Sequence, residues 1–454
     1  MTGAFGAKKA AALLALIAGY LILNYPFMQL RIPPAGFGIP LGELLLIVVL
    51  FSSNIPTVLA RMNATVLLAP FLLWWVWALG RLVFDAAEYG FWAFRDATQT
   101  VESLFLVAGF TLAGRRRSVE LFERWLGPIM AVACLYGLLF VYANEITAAS
   151  PTLPGASEQP IPIFGAFATT GTMLLWGAFY CLTRPATSPA VRLRYDLVGG
   201  FLVAFAILVI QARTTYFQII GLAALLWFAQ PATLGRLSLA IPILVALLAV
   251  ISAFDIRVSG RLSSELSFSF FWDHILSIFG ISSGGHDGLS EAADGVALRM
   301  GWWKRLYDQL TADPATLLAG LGFGIPLTDF RDPLGVVARE PHNSLISVAA
   351  RLGLIGILCW LWMQFELFRV GVQAYRDCRR RSLKESDLVL LVLAFAVLTL
   401  ASCFGEDTME KPYNAVPYYA FWGFALRVAY QVRREPGRQA RRTAYADGGM
   451  GMAP

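Results

Sequence analysis

The sequence predicts an all-α integral membrane protein with about twelve transmembrane helices. Two observations predict it. Hydrophobic residues make up 57% of the chain and charged residues only 15%, a balance that excludes an ordinary water-soluble enzyme. The apolar residues are also gathered into runs of roughly 20, long enough to cross a bilayer core as helices that satisfy their own backbone polar groups.

In order, the runs are 10–29, 40–60, 64–84, 97–114, 124–144, 163–183, 195–212, 214–230, 236–254, 343–370, 387–405 and 413–431. The first lacks a small-residue cleavage site and reads as a membrane helix rather than a signal peptide. The chain therefore divides into 1–254 with nine helices, a polar excursion at 255–342, three more helices at 343–431, and a basic tail at 432–454. Lys8, Lys9, Arg61, Arg115 to Arg117, Arg184, Arg192, Arg194, Arg236, the run Arg376 to Lys384 and the tail Arg433 to Arg442 all fall on one side of this arrangement. Positive loops mark the cytoplasmic side, so both termini are expected there. The loop 145–162, with Glu145 and Glu158 and no Lys or Arg, falls outside together with the long excursion. The net charge of +6 is thus a topology signal, and no nucleic-acid partner is expected.

Cys134, Cys181, Cys359, Cys378 and Cys403 all lie outside the long loop, where a disulfide would be useful. They read as apolar fillers. No Cys/His spacing suggests zinc, and no cofactor is expected. Within the excursion, 282–288 reads as a flexible Gly-rich tip. Residues 294–311 place Val296, Leu298, Trp302, Leu306 and Leu310 at helical spacing. This predicts an amphipathic helix on the outer membrane surface, anchored by Trp302 and Trp303. The stretch Gly320–Pro326 follows as a turn-rich connection; without a surrounding strand-helix unit its Gly-x-Gly-x-Gly spacing is no nucleotide fingerprint.

Three residues carry the chemistry. His342, in Pro341-His342-Asn343-Ser344-Leu345, stands where a polar loop enters a membrane helix. If the helix includes it, His342, Gly353 and Gly356 share a face, and the glycines admit a close neighbour. The plainer reading is a helix cap formed by Asn343 and Ser344, with His342 merely interfacial. Arg213 stands between two apolar runs at an outer end, where a guanidinium needs a carboxylate, a phosphate or water; a structural charge at a helical hairpin is the alternative. Arg299 precedes the Trp pair, and alone it reads as a surface residue.

Together these residues resemble the O-antigen ligase and polymerase superfamily of bacterial polysaccharide assembly. The resemblance rests on the His342-x10-Gly353 motif, on Arg213-Thr214-Thr215, and on Arg299 with Trp303 ahead of Gly320-Leu321-Gly322-Phe323-Gly324. It implies a GT-C-like membrane fold in the bacterial inner membrane whose partly helical periplasmic loop precedes the histidine. It also implies transfer of a glycan from undecaprenyl diphosphate to an acceptor hydroxyl. His342 would be the base, and Arg213 and Arg299 would hold the diphosphate. Arg305, Arg339, Glu340, Asn343, Trp303 and Arg95 join as substrate-binding residues. Fixed guanidinium charge would make a metal unnecessary, and a single base with no evident nucleophile implies inversion. The expected acceptor is lipid A-core, as for a ligase; the alternatives are a second lipid-linked glycan, as for a polymerase, or a protein hydroxyl. A transporter is the reading from a different class, disfavoured because no paired halves are visible. Asp96 could orient an arginine or Glu102 bind a sugar, with structural pairing as the equal alternative for both. Arg351, about 13 Å deeper than His342 on the opposite helix face, is expected to serve structure. The cluster Glu406 to Glu410 reads as a solvated loop, with binding of an acceptor sugar or a cation as the alternative.

Overall fold

The computed structural model describes residues 2–33, 38–114, 116–152, 160–254, 287–330 and 338–434. The excursion 255–286 and the tail from 435 onward therefore lie outside the described residues. Those described are almost wholly helical, with one ladder pairing Arg31–Ile32 with Ile39–Pro40 and one isolated bridge between Thr152 and Pro160. Among the described residues, six helices are long and apolar enough to cross a membrane: Ala69–Tyr89, Ser118–Ala148, Pro189–Ile210, Pro231–Ala253, Ser344–Arg380 and Glu385–Ser402. Exposed apolar side chains such as Val76, Phe84 and Phe228 suit a surface solvated by lipid rather than water.

Several expected spans are interrupted. The run 40–60 is two helices, Leu41–Phe51 and Ile55–Asn63, meeting at 91°. Ser52 and Ser53 turn their hydroxyls onto preceding carbonyls, Asn54 caps Thr57 N–H at 3.2 Å, and Pro56 cannot continue the first helix. Counted as one span, this pair would make a seventh. The run 97–114 divides into Thr98–Ser103 and Phe105–Leu112.

The last helix, Pro412–Arg434, is buried on nearly all sides. It packs so closely on Phe105–Leu112 that a Cβ at Gly109 would overlap the Ala420 carbonyl and one at Gly423 the Leu106 carbonyl. Small residues allow this approach between helices that gain little from hydrophobicity in lipid. Trp176, Phe395 and Phe421 form an aromatic cluster at its centre, with ring centroids 4.9–5.5 Å apart.

The helix containing the His-x10-Gly motif corrects two expectations. It begins at Ser344, so His342 precedes it, and Gly353 interrupts it with φ 66° and ψ −166°. His342 and Gly353 are therefore not on one helical face. The break has a physical reason: Ala350 and Arg351 give their carbonyls to Leu321 N–H at 2.7 Å and Gly322 N–H at 3.0 Å. What approaches Gly353 is the Leu318–Gly320 backbone, not a neighbouring span.

The excursion helix, Asp287–Leu310, differs from the expected surface helix in its packing. Trp302 is buried rather than an interfacial anchor, and Leu306 packs with Leu327 and Ala350. The Gly-x-Gly-x-Gly stretch threads between helices, with φ of 80°, 93° and 96° at Gly320, Gly322 and Gly324. This course presents Phe323 N–H to Asp85 at 2.7 Å and Gly324 N–H to Asp96 at 3.0 Å.

Replacing Gly353 by Ala is expected to destabilise the protein by about 3 kcal/mol or more, since a Cβ there meets both backbone strain and overlap. Gly80→Ala, with open space around the new methyl, should be neutral or slightly stabilising. Thermal melting of the two variants in detergent checks this; equal melting points would contradict it.

Candidate active site

The chain enters the motif through a buried ionic cluster. Arg339 sets its fork on Asp96, with Nη2 at 2.6 Å and Nε at 3.1 Å. Arg351 Nη2 reaches Glu340 at 2.7 Å and Asp96 at 3.1 Å, and Ser347 donates to the second Glu340 oxygen at 3.1 Å. Arg95 joins Asp96 from the surface at 3.0 Å. Two guanidiniums thus enclose the two buried carboxylates, so Glu340 serves to anchor the loop on which His342 stands.

His342 itself adopts φ 52°, a left-handed conformation that costs an ordinary residue free energy. Asn343 then caps the helix: its Oδ1 accepts from Leu345 and Ile346 N–H at 3.0 and 3.1 Å, and its Nδ2 donates to the Phe404 carbonyl at 3.0 Å. The segment is therefore a helix cap made by Asn343, with His342 held just outside the helix rather than on a face shared with Gly353.

The loop after Glu385–Ser402 closes over this point. Ser344 N–H donates to the Cys403 carbonyl at 3.0 Å, and Ser344 Oγ donates to Glu410 at 2.6 Å. Asp407 Oδ1 comes to 3.6 Å and Glu406 Oε2 to 3.8 Å from His342 Nδ1. These are charge contacts, too long for hydrogen bonds. Lys411 holds the other Asp407 oxygen at 2.9 Å. The expectation of a solvated loop at Glu406–Glu410 is thus corrected: Asp407, Thr408 and Met409 are buried, and the loop is stapled to the histidine segment. Pairings across more than sixty residues carry no local sequence signal beyond a cluster of acids at a helix end.

The other candidates converge here in part. Arg299 Nη1 donates to the Gly405 carbonyl at 3.1 Å. Arg213 starts the helix Arg213–Ala229 after a π-helical turn, Ala206–Ile210, and a left-handed Gln211. Such turns recur at functional sites. Arg213 lies near enough to Arg299 for their charges to oppose each other, and Thr214 packs beside Gly405. Trp303 Nε1 donates to the Pro341 carbonyl at 2.9 Å, while the Trp302 ring lies 6.2 Å from the imidazole at 30°. Arg339 and Arg95 stand behind, around Asp96 and the Trp92 ring. Arg305 is exposed and paired with Asp329, Nη2 to Oδ1 at 2.9 Å.

The nearest ligand atoms of His342, Glu406 and Asp407 lie within 4.8 Å of one another, a spacing that could hold a metal ion. Lys411 competes for Asp407 there. The loop's carboxylates are driven in opposite directions. Despite its burial, Lys411 and His342 hold Asp407 well below the usual carboxylate range, and Asp407 in turn raises Lys411. Burial, followed by the charges of Glu340 and Asp407, pushes Glu410 up to about 8. At neutral pH the loop therefore offers one firmly ionised carboxylate beside the imidazole and one that is largely protonated.

Glu102 is fully buried, and among the described residues neither of its oxygens has a hydrogen-bond partner. It contacts none of the groups around His342 through a hydrogen bond or ion pair. No protein-family model matches the chain, and no curated protein matches it either.

The raised Glu410 has a stability consequence. Between about pH 4.5 and 8 the folded protein binds more protons than the unfolded chain, so stability falls as pH rises through that window. Glu410→Gln should flatten the slope of melting temperature between pH 5 and 8 relative to wild type. Parallel profiles would contradict the assignment.

Proposed function

We propose that the protein is a membrane glycosyltransferase of the O-antigen ligase type, moving a glycan from undecaprenyl diphosphate to an acceptor hydroxyl. The observation that carries the reading is the convergence of His342, its carboxylate neighbours, Arg299 and Arg213 around one loop, from segments up to about 190 residues apart. In this reading about twelve spans form a GT-C-like fold in the bacterial inner membrane, both termini are cytoplasmic, and the site faces the periplasm.

The residues suit the chemistry. The acceptor oxygen attacks the anomeric carbon as the carbon–oxygen bond to the diphosphate breaks, and the lipid diphosphate leaves with the electron pair. Arg213 and Arg299, close enough to repel one another, present positive charge where that anion develops. His342 takes the acceptor's proton through Nε2, while Asp407 beside Nδ1 favours the imidazolium that forms. One displacement inverts the anomeric centre. Lys411 on Asp407 and the paired arginines support a step without a metal. Lipid A-core is the favoured acceptor; a second lipid-linked glycan would make the protein a polymerase, and a protein hydroxyl a protein glycosyltransferase.

His342→Ala should lower turnover by about 10²–10⁴-fold while retaining bound lipid-linked glycan, and Arg213→Ala should weaken both. The assay offers a defined undecaprenyl-diphosphate glycan with lipid A-core, a second lipid-linked glycan and a protein acceptor in parallel, so that product identity selects the branch. Full transfer by both variants would refute the catalytic assignment.

Transfer should also survive chelation. Activity lost with chelator and restored by a divalent ion would instead assign His342, Glu406 and Asp407 as metal ligands.

A further inference from the structure

The arginines at the two ends of the helix Pro412–Arg434 are treated differently. Beside its first residue, in the site region, the guanidiniums of Arg339 and Arg351 rest on carboxylates. At its other end, about 35 Å away by helical rise, Arg61, Arg381, Arg427, Arg433 and Arg434 make no ion pair among the described residues. Among the described residues, the hydrogen bonds of Arg381, Arg427 and Arg433 go to neutral acceptors. Arg427 Nη2 donates to the Gly114 carbonyl at 3.4 Å, Arg433 to the Thr65 carbonyl at 2.8 Å and Gln373 at 2.9 Å, and Arg381 to the Val432 carbonyl at 2.7 Å.

Arg427 is the telling member. It is half-buried, its guanidinium lies 5.2 Å from the Phe110 ring centroid and 5.0 Å from that of Tyr430, and its Nε is buried with no hydrogen-bond partner among the described residues. Arg434 sits on the same Tyr430 ring at 4.9 Å. Arg61 and Arg434 oppose its charge. The helix C-terminus favours cations, but only by about half an elementary charge, less than the charge of even one of these guanidiniums. The ring faces attract these cations and offset part of the cost, but like charges gathered in a half-buried place still favour an anion joining them.

We infer that Arg61, Arg427 and Arg434 form a binding site for a phosphate-bearing anion at the end of the molecule remote from His342, with Phe110 and Tyr430 as its apolar walls. The planar guanidinium fork matches phosphate oxygens. The flanking sequence is rich in arginine, at Arg115 to Arg117 and Arg433 to Arg442, a composition that attracts anionic lipid headgroups. Two sources share this chemistry, an anionic phospholipid and free phosphate.

The test is a native mass-spectrometric titration of the full-length protein in detergent with phosphatidylglycerol, phosphatidylcholine or inorganic phosphate alone. Phosphatidylglycerol should bind at least tenfold more tightly than phosphatidylcholine, and Arg61→Gln and Arg427→Gln should each weaken it about fivefold. Binding of inorganic phosphate with the same sensitivity to these substitutions, and no preference between the lipids, would support the site with free phosphate as its source. Arg61→Gln combined with Arg434→Gln changes exposed residues only and reports even if Arg427→Gln fails to fold. Glu435→Gln should leave binding unchanged; a large gain would mean that Glu435 already neutralises the site and would overturn the inference. So would the absence of both phosphatidylglycerol preference and phosphate binding, or a preference that persists in the Arg61→Gln/Arg427→Gln double variant.

Discussion

The structure around the candidate site depends on the carboxylate of Asp96. It is wholly buried and receives Arg339, Arg351, Arg95 and the Gly324 N–H. A carboxylate without these partners would be strongly disfavoured in such surroundings, and so would the guanidiniums without it. The cluster joins chain segments separated by more than two hundred residues: the end of the Phe91–Asp96 helix, the glycine loop and the segment preceding His342. Because the partners are charged and the geometry is bidentate, the loop has few alternative registers.

This dependence explains why the glycine loop takes its particular path. Leu321 and Gly322 take carbonyls from the broken helix, Phe323 and Gly324 cap two aspartates, and Arg81 bonds back to the Leu321 carbonyl at 3.2 Å. Three positive φ values alternate with ordinary ones, which matches the alternation of glycine with other residues. The spacing is thus a solution to backbone accounting between helices, in which every buried polar group needs a partner.

The helical class and six of the twelve expected spans were legible in the sequence, because composition and length act locally. The breaks were less so. Ser52-Ser53-Asn54-Ile55-Pro56 carries an interruption signal that a hydropathy count overlooks, whereas the break at Gly353 is set by a partner more than thirty residues earlier. The site divides in the same way. His342 and Arg213 stood out because a polar residue flanking a membrane run requires an explanation. Asp407 and Lys411 did not, since an acidic loop looks alike whether solvated or folded onto a distant histidine. Trp302 was legible as apolar, but its place against His342 was not.

The break at Gly353 has a mechanical meaning as well. It leaves Ser344–Leu352 as a short segment fixed at its head by the Asn343 cap and at its foot by the glycine loop. The remaining helix, Leu354–Arg380, is joined to it through one residue lacking helical geometry. A rigid rod would carry any tilt of its lower part straight to the imidazole. A joint clamped on its upper side instead lets the lower rod follow the bilayer while the histidine keeps its alignment with Asp407.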